Sequence, residues 1–498
     1  MKGLKLLVFS LLLSQMAFAG GMVTNTNQSA AYIRMLARDA STDVDAVFYN
    51  PAGLTKLADG FYVQLNNQTV IQKRTIENAY LNKTYTGDVF VPALPTFFAV
   101  YKTGDWAFSA GFTVIGGGGS ADFATGLPEF ESPFKDITQA LSAKGIITTD
   151  EKANIAFNGS SVYYGAQAGA SYKINDMISV YAGARYVSIA NSYEGHIKNV
   201  MINPIHKQLG YTGAMVPAQD FFSDLEAAAS SIGDLEGVAT AKYLGDATRD
   251  REVDVQQFGS GITPIIGANL TFMEERMNIG LKYEFATKMD VENYTYKDDT
   301  KGMPGMEKGM FPDKAKVAAD MPAFLSVGVD YLATEDFHIS FGVHYYWDKN
   351  VDYGRNGWVA GSGIGLPGDA DYTPPTYNRG DNSDWVDANS YEIALGLQYD
   401  ISEKISLSGG YLYSTTSPAL DYQSGLSYSL SANTFSFGAL GHISDRFDID
   451  LGILYTAYAP DEKQVEYLAP GVTYTETYDK SNVVFSIGGT YHFGGPSN

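Results

Sequence analysis

The six histidines are the first residues in this chain that could bind a metal or carry a proton, and their spacing suits neither task. His338 and His344 fall on one face of an alternating stretch, where six residues of strand hold them about 20 Å apart, too far to share an ion. His196, His206, His442 and His492 have no neighbour at ligand spacing. The sequence contains no G-x-S-x-G elbow, no H-E-x-x-H zinc motif and no phosphate loop. Gly363-Ile364-Gly365-Leu366-Pro367-Gly368 spells G-x-G-x-x-G, but without a flanking strand–helix–strand unit it reads as a flexible loop. Asp369, Asp371, Asp381 and Asp384 could hold Ca²⁺ weakly; EF-hand spacing is missing, and a solvated acidic loop is the better reading. The absence of cysteine excludes a disulfide scaffold, zinc ribbons and thiol catalysis. An enzyme is therefore not expected, nor a cofactor or metal.

The elements that would position any site are strands. The 498 residues carry a net charge of -22, which repels a polyanion and argues against a nucleic-acid partner. With 52 Gly and 35 Tyr against 4 Trp, the composition suits many Gly- and Tyr-rich strands. Lys2, Lys5, the apolar run Leu6 to Phe18 and the Ala17-Phe18-Ala19 cleavage signal read as a secretory signal peptide over residues 1–19. The run is too short for a membrane helix, which needs about 20 residues. Its removal leaves 32 basic and 56 acidic residues, a net charge of -24.

From Phe61 onward the dominant signal is alternation at period two. Met277, Ile279, Leu281, Tyr283 and Phe285 alternate with Asn278, Gly280, Lys282, Glu284 and Ala286. Phe337 to Trp347 and Tyr391 to Ile401 repeat the pattern, and Val483, Phe485, Ile487, Tyr491 and Phe493 close the series. Short polar turns, such as Asn175-Asp176 and Ser402-Glu403-Lys404, alternate with long segments at 76–95, 116–156, 199–250, 295–320, 350–387, 417–431 and 460–481. The strands they join number 14, near 59–75, 96–103, 104–116, 159–173, 177–197, 252–273, 275–294, 322–333, 335–349, 388–401, 403–416, 432–444, 446–459 and 482–493. An even number of antiparallel strands, short turns at one end and long loops at the other describe an outer-membrane barrel. In lipid every backbone polar group needs a partner within the protein, and only a closed sheet gives strands that. Two soluble sandwiches or a propeller would also alternate, but would not impose the strict order of short and long connections. The predicted fold is thus all-β: a 14-stranded antiparallel transmembrane β-barrel over 59–493 in the outer membrane of a Gram-negative cell, with both termini in the periplasm.

Residues 20–58 do not read as strand; Ala30 to Ala40 has helical spacing, and Phe48-Tyr49-Asn50-Pro51-Ala52-Gly53-Leu54 follows. Asn-Pro-Ala-Gly alone is most often an ordinary turn. Placed about thirty residues after a signal cleavage site and ahead of a 14-strand pattern, it resembles the FadL/TodX family of outer-membrane hydrophobic-compound (long-chain fatty acid) transporters. Met321-Pro322-Ala323-Phe324-Leu325-Ser326-Val327-Gly328-Val329-Asp330-Tyr331 also looks like a strand of that family, and the likeness covers nearly the whole mature chain. The resemblance implies an N-terminal hatch that plugs the lumen, with Asn50, Pro51 and Ala52 in it. Such barrels usually end on an aromatic residue; here Gly494-Gly495-Pro496-Ser497-Asn498 follows Phe493 as a short tail.

The resemblance also implies passive import of long-chain fatty acids or similar hydrophobic molecules by graded affinity, past a movable plug. Import of aromatic hydrocarbons and a surface adhesin or receptor acting through the long loops remain open. The expected partners are a hydrophobic small molecule and, around a monomer, outer-membrane lipid and lipopolysaccharide. Phe221, Phe222, Leu225, Ala228, Ala229, Ile232 and Leu235 approach a helical stripe that could cover the barrel mouth or simply pack on neighbouring loops. With Met303, Met306, Met310 and Phe311 they would form an outer-loop groove. Gly116-Gly117-Gly118-Gly119 ends the expected third strand, and marks either a plain loop start or the family's inward kink beside a lateral opening. A buried ligand carboxylate would need a cation: Lys282, Arg185, Arg34 and Arg38 are candidates, each more readily paired with a lumenal acid.

Overall fold

In a computed structural model, the described residues are 22–302, 308–354, 356–359, 376–379, 385–466 and 473–493. Residues 1–19, Met303, Met306, the 363–368 glycine motif, Asp369, Asp371, Asp381, Asp384 and the 494–498 tail lie outside them.

The alternating segments become strands β1 (Gly60–Asn78), β2 (Lys83–Thr103), β3 (Trp106–Phe123), β4 (Glu151–Lys173), β5 (Ile178–Ile202) and β6 (Arg251–Phe272). Next come β7, in two pieces (Met277–Glu284 and Asp290–Asp298), and β8, also in two (Lys316–Ala318 and Phe324–Thr334). The rest are β9 (Phe337–Tyr346), β10 (Tyr391–Ser402), β11 (Ile405–Thr415), β12 (Ala432–Ser444), β13 (Phe447–Tyr458) and β14 (Thr473–His492). Each pairs antiparallel with the next, and β1 pairs with β14 from Tyr62↔His492 to Asn78↔Glu476, so the sheet closes at 14 strands. The chain enters β1 and leaves β14 at the short-turn end, where Tyr62 faces His492. Leu65, Ile262, Leu395, Phe437, Leu451 and Ile487 point outward and are 43% to 63% exposed, part of an apolar wall that suits lipid. Their strand neighbours face inward: Lys282, Glu284, His344 and Tyr346 are buried. No described helix is long and apolar enough to cross a membrane; the strands do so.

The outer side differs from expectation in three places. The 76–95 connection is not irregular: β1 and β2 run on through it as a long hairpin, because Ile76, Tyr85 and Val89 keep the alternation and bury against Phe123, Leu127 and Phe130. The 116–156 segment holds the end of β3, the start of β4 and a helix, here α3 (Pro128–Ala143), while 460–481 holds a further strand (Asp461–Glu466) paired with the outer half of β14. The glycine run 116–119 does not end β3, which continues to Phe123.

Inside the barrel lies the hatch, with helices α1 (Ala30–Met35) and α2 (Ala46–Tyr49) and a 3₁₀ turn, Pro51–Lys56. Ser29 caps α1 by accepting the Tyr32 N–H, and Leu36 ends it in the left-handed region at φ 62. Residues 22–55 are buried apart from Thr42 and Asp43. The wall admits this backbone because it is lined with glycine where the two meet. A Cβ at Gly280, Gly328 or Gly342 would strike Asp39; one at Gly396 or Gly410 would strike Met35; one at Gly438 or Gly452 would strike Arg34. These glycines face one another across strands (Gly280↔Gly328↔Gly342, Gly396↔Gly410, Gly438↔Gly452), so they form a belt around α1 and its exit. The requirement here is close approach of backbones, not unusual φ.

Candidate functional site

The Asn-Pro-Ala segment fixes the hatch to the wall. Pro51 opens the 3₁₀ turn, where its missing N–H costs nothing. The buried Asn50 side chain donates to the Ser41 carbonyl (3.0 Å) and to Asn269 Oδ1 on β6 (2.8 Å). Ser171 on β4 donates to the Pro51 carbonyl at 2.6 Å, and Ser179 on β5 to the Ala52 carbonyl at 2.7 Å. Asn50→Ala strands a buried carbonyl and amide, a loss of about 1–3 kcal/mol. The expected readout is faster hydrogen exchange at 46–56 with the strand amides of β10–β13 unchanged.

The four candidate cations are all occupied. Arg34 donates to Asp450 at 2.7 Å and to Gln398 at 2.7 Å. Arg38 pairs with Asp43 (2.6 Å) and Asp45 (2.8 Å), both in the hatch. Arg185 and Lys282 converge on Glu284, at 2.5 and 2.8 Å, and Lys282 also donates to the Phe48 carbonyl at 2.6 Å. Arg34 and Lys282 thus bind hatch to wall, Arg38 braces the hatch and Arg185 the wall, and none leaves an open charge for a ligand carboxylate. His344 plays a similar part unforeseen in the sequence: its ring bridges Asp39 of the hatch and Glu392 of β10, at 2.7 Å each. His338 instead faces Asp330 at 3.4 Å.

The glycine run sits at a break in the wall. β2 and β3 are paired from Thr103↔Trp106 to Phe97↔Phe112 and then again only at Asp88↔Asp122. Over the same stretch β2 stays on β1, and β3 stays on β4 through two bulges, at Val114/Gly116 and Gly117/Gly119. Two causes are local. Pro92 and Pro95 of β2 have no N–H to give a neighbour. Gly117 takes φ +85, which suits glycine and bends β3 inward. The β3 carbonyls are not left unpaired. Asn25 N–H donates to Ile115 O (2.7 Å), and the Asn25 and Gln28 side chains donate to Val114 O at 3.0 and 2.8 Å. The hatch thus takes the bonds β2 gives up. Ile115, Tyr163, Met22 and Val23 belong to the buried apolar cluster against which Val91 packs, while Phe90 is 66% exposed on the lipid side. The glycines left a plain loop start and a kink equally open, and Pro92 and Pro95, within an alternating run, were the signal overlooked.

At the outer mouth, α4 (Ala218–Ser231) and α5 (Leu235–Ala247) form a helical hairpin. Phe221 and Phe222 are fully buried, and Leu225 packs on the same cluster as Phe311 and Met310. Phe311 stacks on Tyr193 of β5 at 5.7 Å. The structure therefore brings the two expected loops together, with their apolar faces packed rather than open. Ile232 and Leu235 do not continue the stripe: they lie at the hairpin tip, 79% and 82% exposed, because α4 ends at Ser231. Beside this cluster an apolar cavity of about 50 Å³ is lined by Phe130, Phe157, Ile197, Val253 and Met310, among others. At the opposite, short-turn end, a recess of about 210 Å³ under the hatch is lined by Arg34, Arg38, Asp43, Asp448, Asp450 and further polar groups.

An apolar outer wall, a closed sheet of 14 strands and a plug held by buried hydrogen bonds define an outer-membrane barrel with an occupied lumen. No family model and no curated protein matches the sequence. Solved structures do. A FadL homologue from Pseudomonas aeruginosa is 14% identical, covering 97% of this chain and 100% of its own, with a TM-score of 0.60. The toluene transporter TodX of Pseudomonas putida is also 14% identical, covering 96% of this chain and 99% of its own, with a TM-score of 0.54. The fold is that of the FadL and TodX barrels.

Proposed function

We propose that this barrel carries hydrophobic small molecules, long-chain fatty acids foremost, across the outer membrane without an energy source and without catalysis. The observation that carries the reading is the unpaired stretch between β2 and β3, backed by a buried apolar cluster and a hatch locked to the wall, which would serve as a doorway to lipid. The solved barrels of this fold include one named as a FadL homologue and one named as a toluene transporter, and both names fit such a doorway. An apolar solute would meet the outer cavity beside Phe130 and Phe157 first, then the buried cluster, then the doorway. Each step exchanges water for apolar contacts, worth about 25 cal/mol per Å² buried. Sideways exit also spares the hatch. Driving it out would break Arg34–Asp450 and Asp39–His344 together, and breaking one buried pair alone costs about 3–5 kcal/mol. The plug is thus fixed in this reading, not movable. The polar recess beneath it gives a greasy solute no favourable path.

The test is binding of a radiolabelled long-chain fatty acid to the purified, detergent-exchanged protein, with toluene as competitor. Saturable binding that toluene leaves in place is the expected result. Displacement by toluene would assign the barrel to hydrocarbons, and absence of saturable binding by either would remove the transport reading.

A further inference from the structure

Two buried cations in the outer half of the lumen have no acid to answer them. Arg74 of β1 and Lys480 of β14 face each other across the seam that closes the barrel. They are 0% and 4% exposed, and among the described residues neither makes a salt bridge. None of the three Arg74 guanidinium nitrogens makes a well-formed hydrogen bond, and the Tyr428 hydroxyl is set against the group without answering its charge. Lys480 Nζ donates to the Tyr428 carbonyl at 2.7 Å, and both cations lie over the Tyr428 ring, at 4.5 and 4.6 Å from its centroid. The adjoining register pair adds to the same feature: Gln72 Nε2 and both amide atoms of Asn482 are buried without partners, as is the phenol of Tyr458 on β13.

This contrasts with the cations lower in the lumen, each of which meets a carboxylate. An aromatic face contributes about 2 kcal/mol to a desolvated cation, and the Tyr458 ring, 5.7 Å from Lys480, adds a second and more distant one. Two like charges taken from water to adjacent sites lose more than that, so the arrangement is incomplete as it stands. What it lacks is an anion. The surroundings say what the anion is attached to: Ile76, Val89, Phe123, Leu426, Leu430 and Tyr478 form the buried cluster around the pair. Tyr428 comes from the inturned connection between β11 and β12, whose residues 422–430 are all buried.

We infer that Arg74 and Lys480 form the head-group site for an acidic amphiphile, with one anionic head and an apolar tail, and that Tyr428 fills that site in its absence. This rests on the transport reading and selects, within it, acids over hydrocarbons. The bidentate fork of Arg74 would take both oxygens of a carboxylate, Lys480 would add a point charge, and the Gln72 and Asn482 amides would complete its hydrogen bonds.

The test compares dodecanoate with methyl dodecanoate, which keeps the tail and removes the charge, on the mature protein held in amphipol. Wild type should prefer the acid at least tenfold, about 1.4 kcal/mol. Arg74→Gln and Lys480→Gln should each remove most of that preference while ester binding stays unchanged, which also shows that the variants fold. Arg74→Lys should restore part of it. Unaltered acid preference in both Gln variants would overturn the inference, as would a wild type that binds acid and ester equally; in that second case ester binding leaves the transport reading intact. A wild type that binds neither probe would sink both.

Discussion

Gly117→Val should lower uptake of a labelled hydrophobic solute at least tenfold in cells that carry a folded, surface-inserted barrel. The residue sits at φ +85, where a β-branched side chain is strained by about 1–3 kcal/mol, and its Cβ would meet the Ser161 carbonyl of β4. The strain is relieved by straightening the bulge. That returns β3 toward a regular ladder, withdraws Val114 and Ile115 from Asn25 and Gln28, and narrows the seam with β2. The barrel itself tolerates the change, because β3 keeps its ladder with β4 from Trp106↔Tyr172 to Val114↔Tyr164. Gly409→Ala, where an added Cβ finds only ordinary contact with Ser436, is the control. Wild-type uptake by Gly117→Val, with normal heat-modifiable mobility on gels, would dissociate the bulge from passage.

A second substitution should have the opposite sign. Gly410→Leu combined with Gly280→Val places side chains where Met35 and Asp39 now lie against the wall. No rotamer change accommodates them, since the obstructing atoms include hatch backbone. The hatch must move off, taking Asp39 from Ser326 and His344. A 14-strand barrel without its plug has a lumen too wide for its own side chains to fill. Ion conductance in planar bilayers should rise at least tenfold over wild type, and cells should become sensitive to large hydrophilic antibiotics. Wild-type conductance from a folded double variant would show that the glycine belt does not seat the hatch.

The barrel was legible in the sequence because lipid and a lined lumen impose opposite polarity on successive residues. Phe337 to Trp347 could hardly be read otherwise, and His344, Tyr346 and Asp348 are indeed inward. Less legible were features that arise from contacts between distant segments. Gly280, Gly396 and Gly410 look like filler in an alternating run until α1 is laid against them. Lys282 and Arg185 were rightly placed on the lumen side, but their sharing of Glu284 depends on β5 and β7 flanking β6, beyond local pattern. The outer hairpins were read as loops because polar segments hide strand periodicity once lipid no longer enforces it; Ile76 and Tyr85 carry it on a cluster of loop side chains instead. Arg74 and Lys480, separated by most of the chain, become neighbours only when the ends of the sheet meet.

That meeting has a bearing on how the protein is built. The hatch spans the very seam where the cylinder closes: Ala30 N–H donates to Asn66 on β1, a Cβ at Gly488 on β14 would touch Ala30, and Arg34 holds Asp450 on β13. A chain that zipped its last strand to its first before seating these residues would have to thread a buried arginine past a finished wall. Joining first strand to last and stoppering the vessel thus draw on the same three strands, so a change that loosens one should loosen the other.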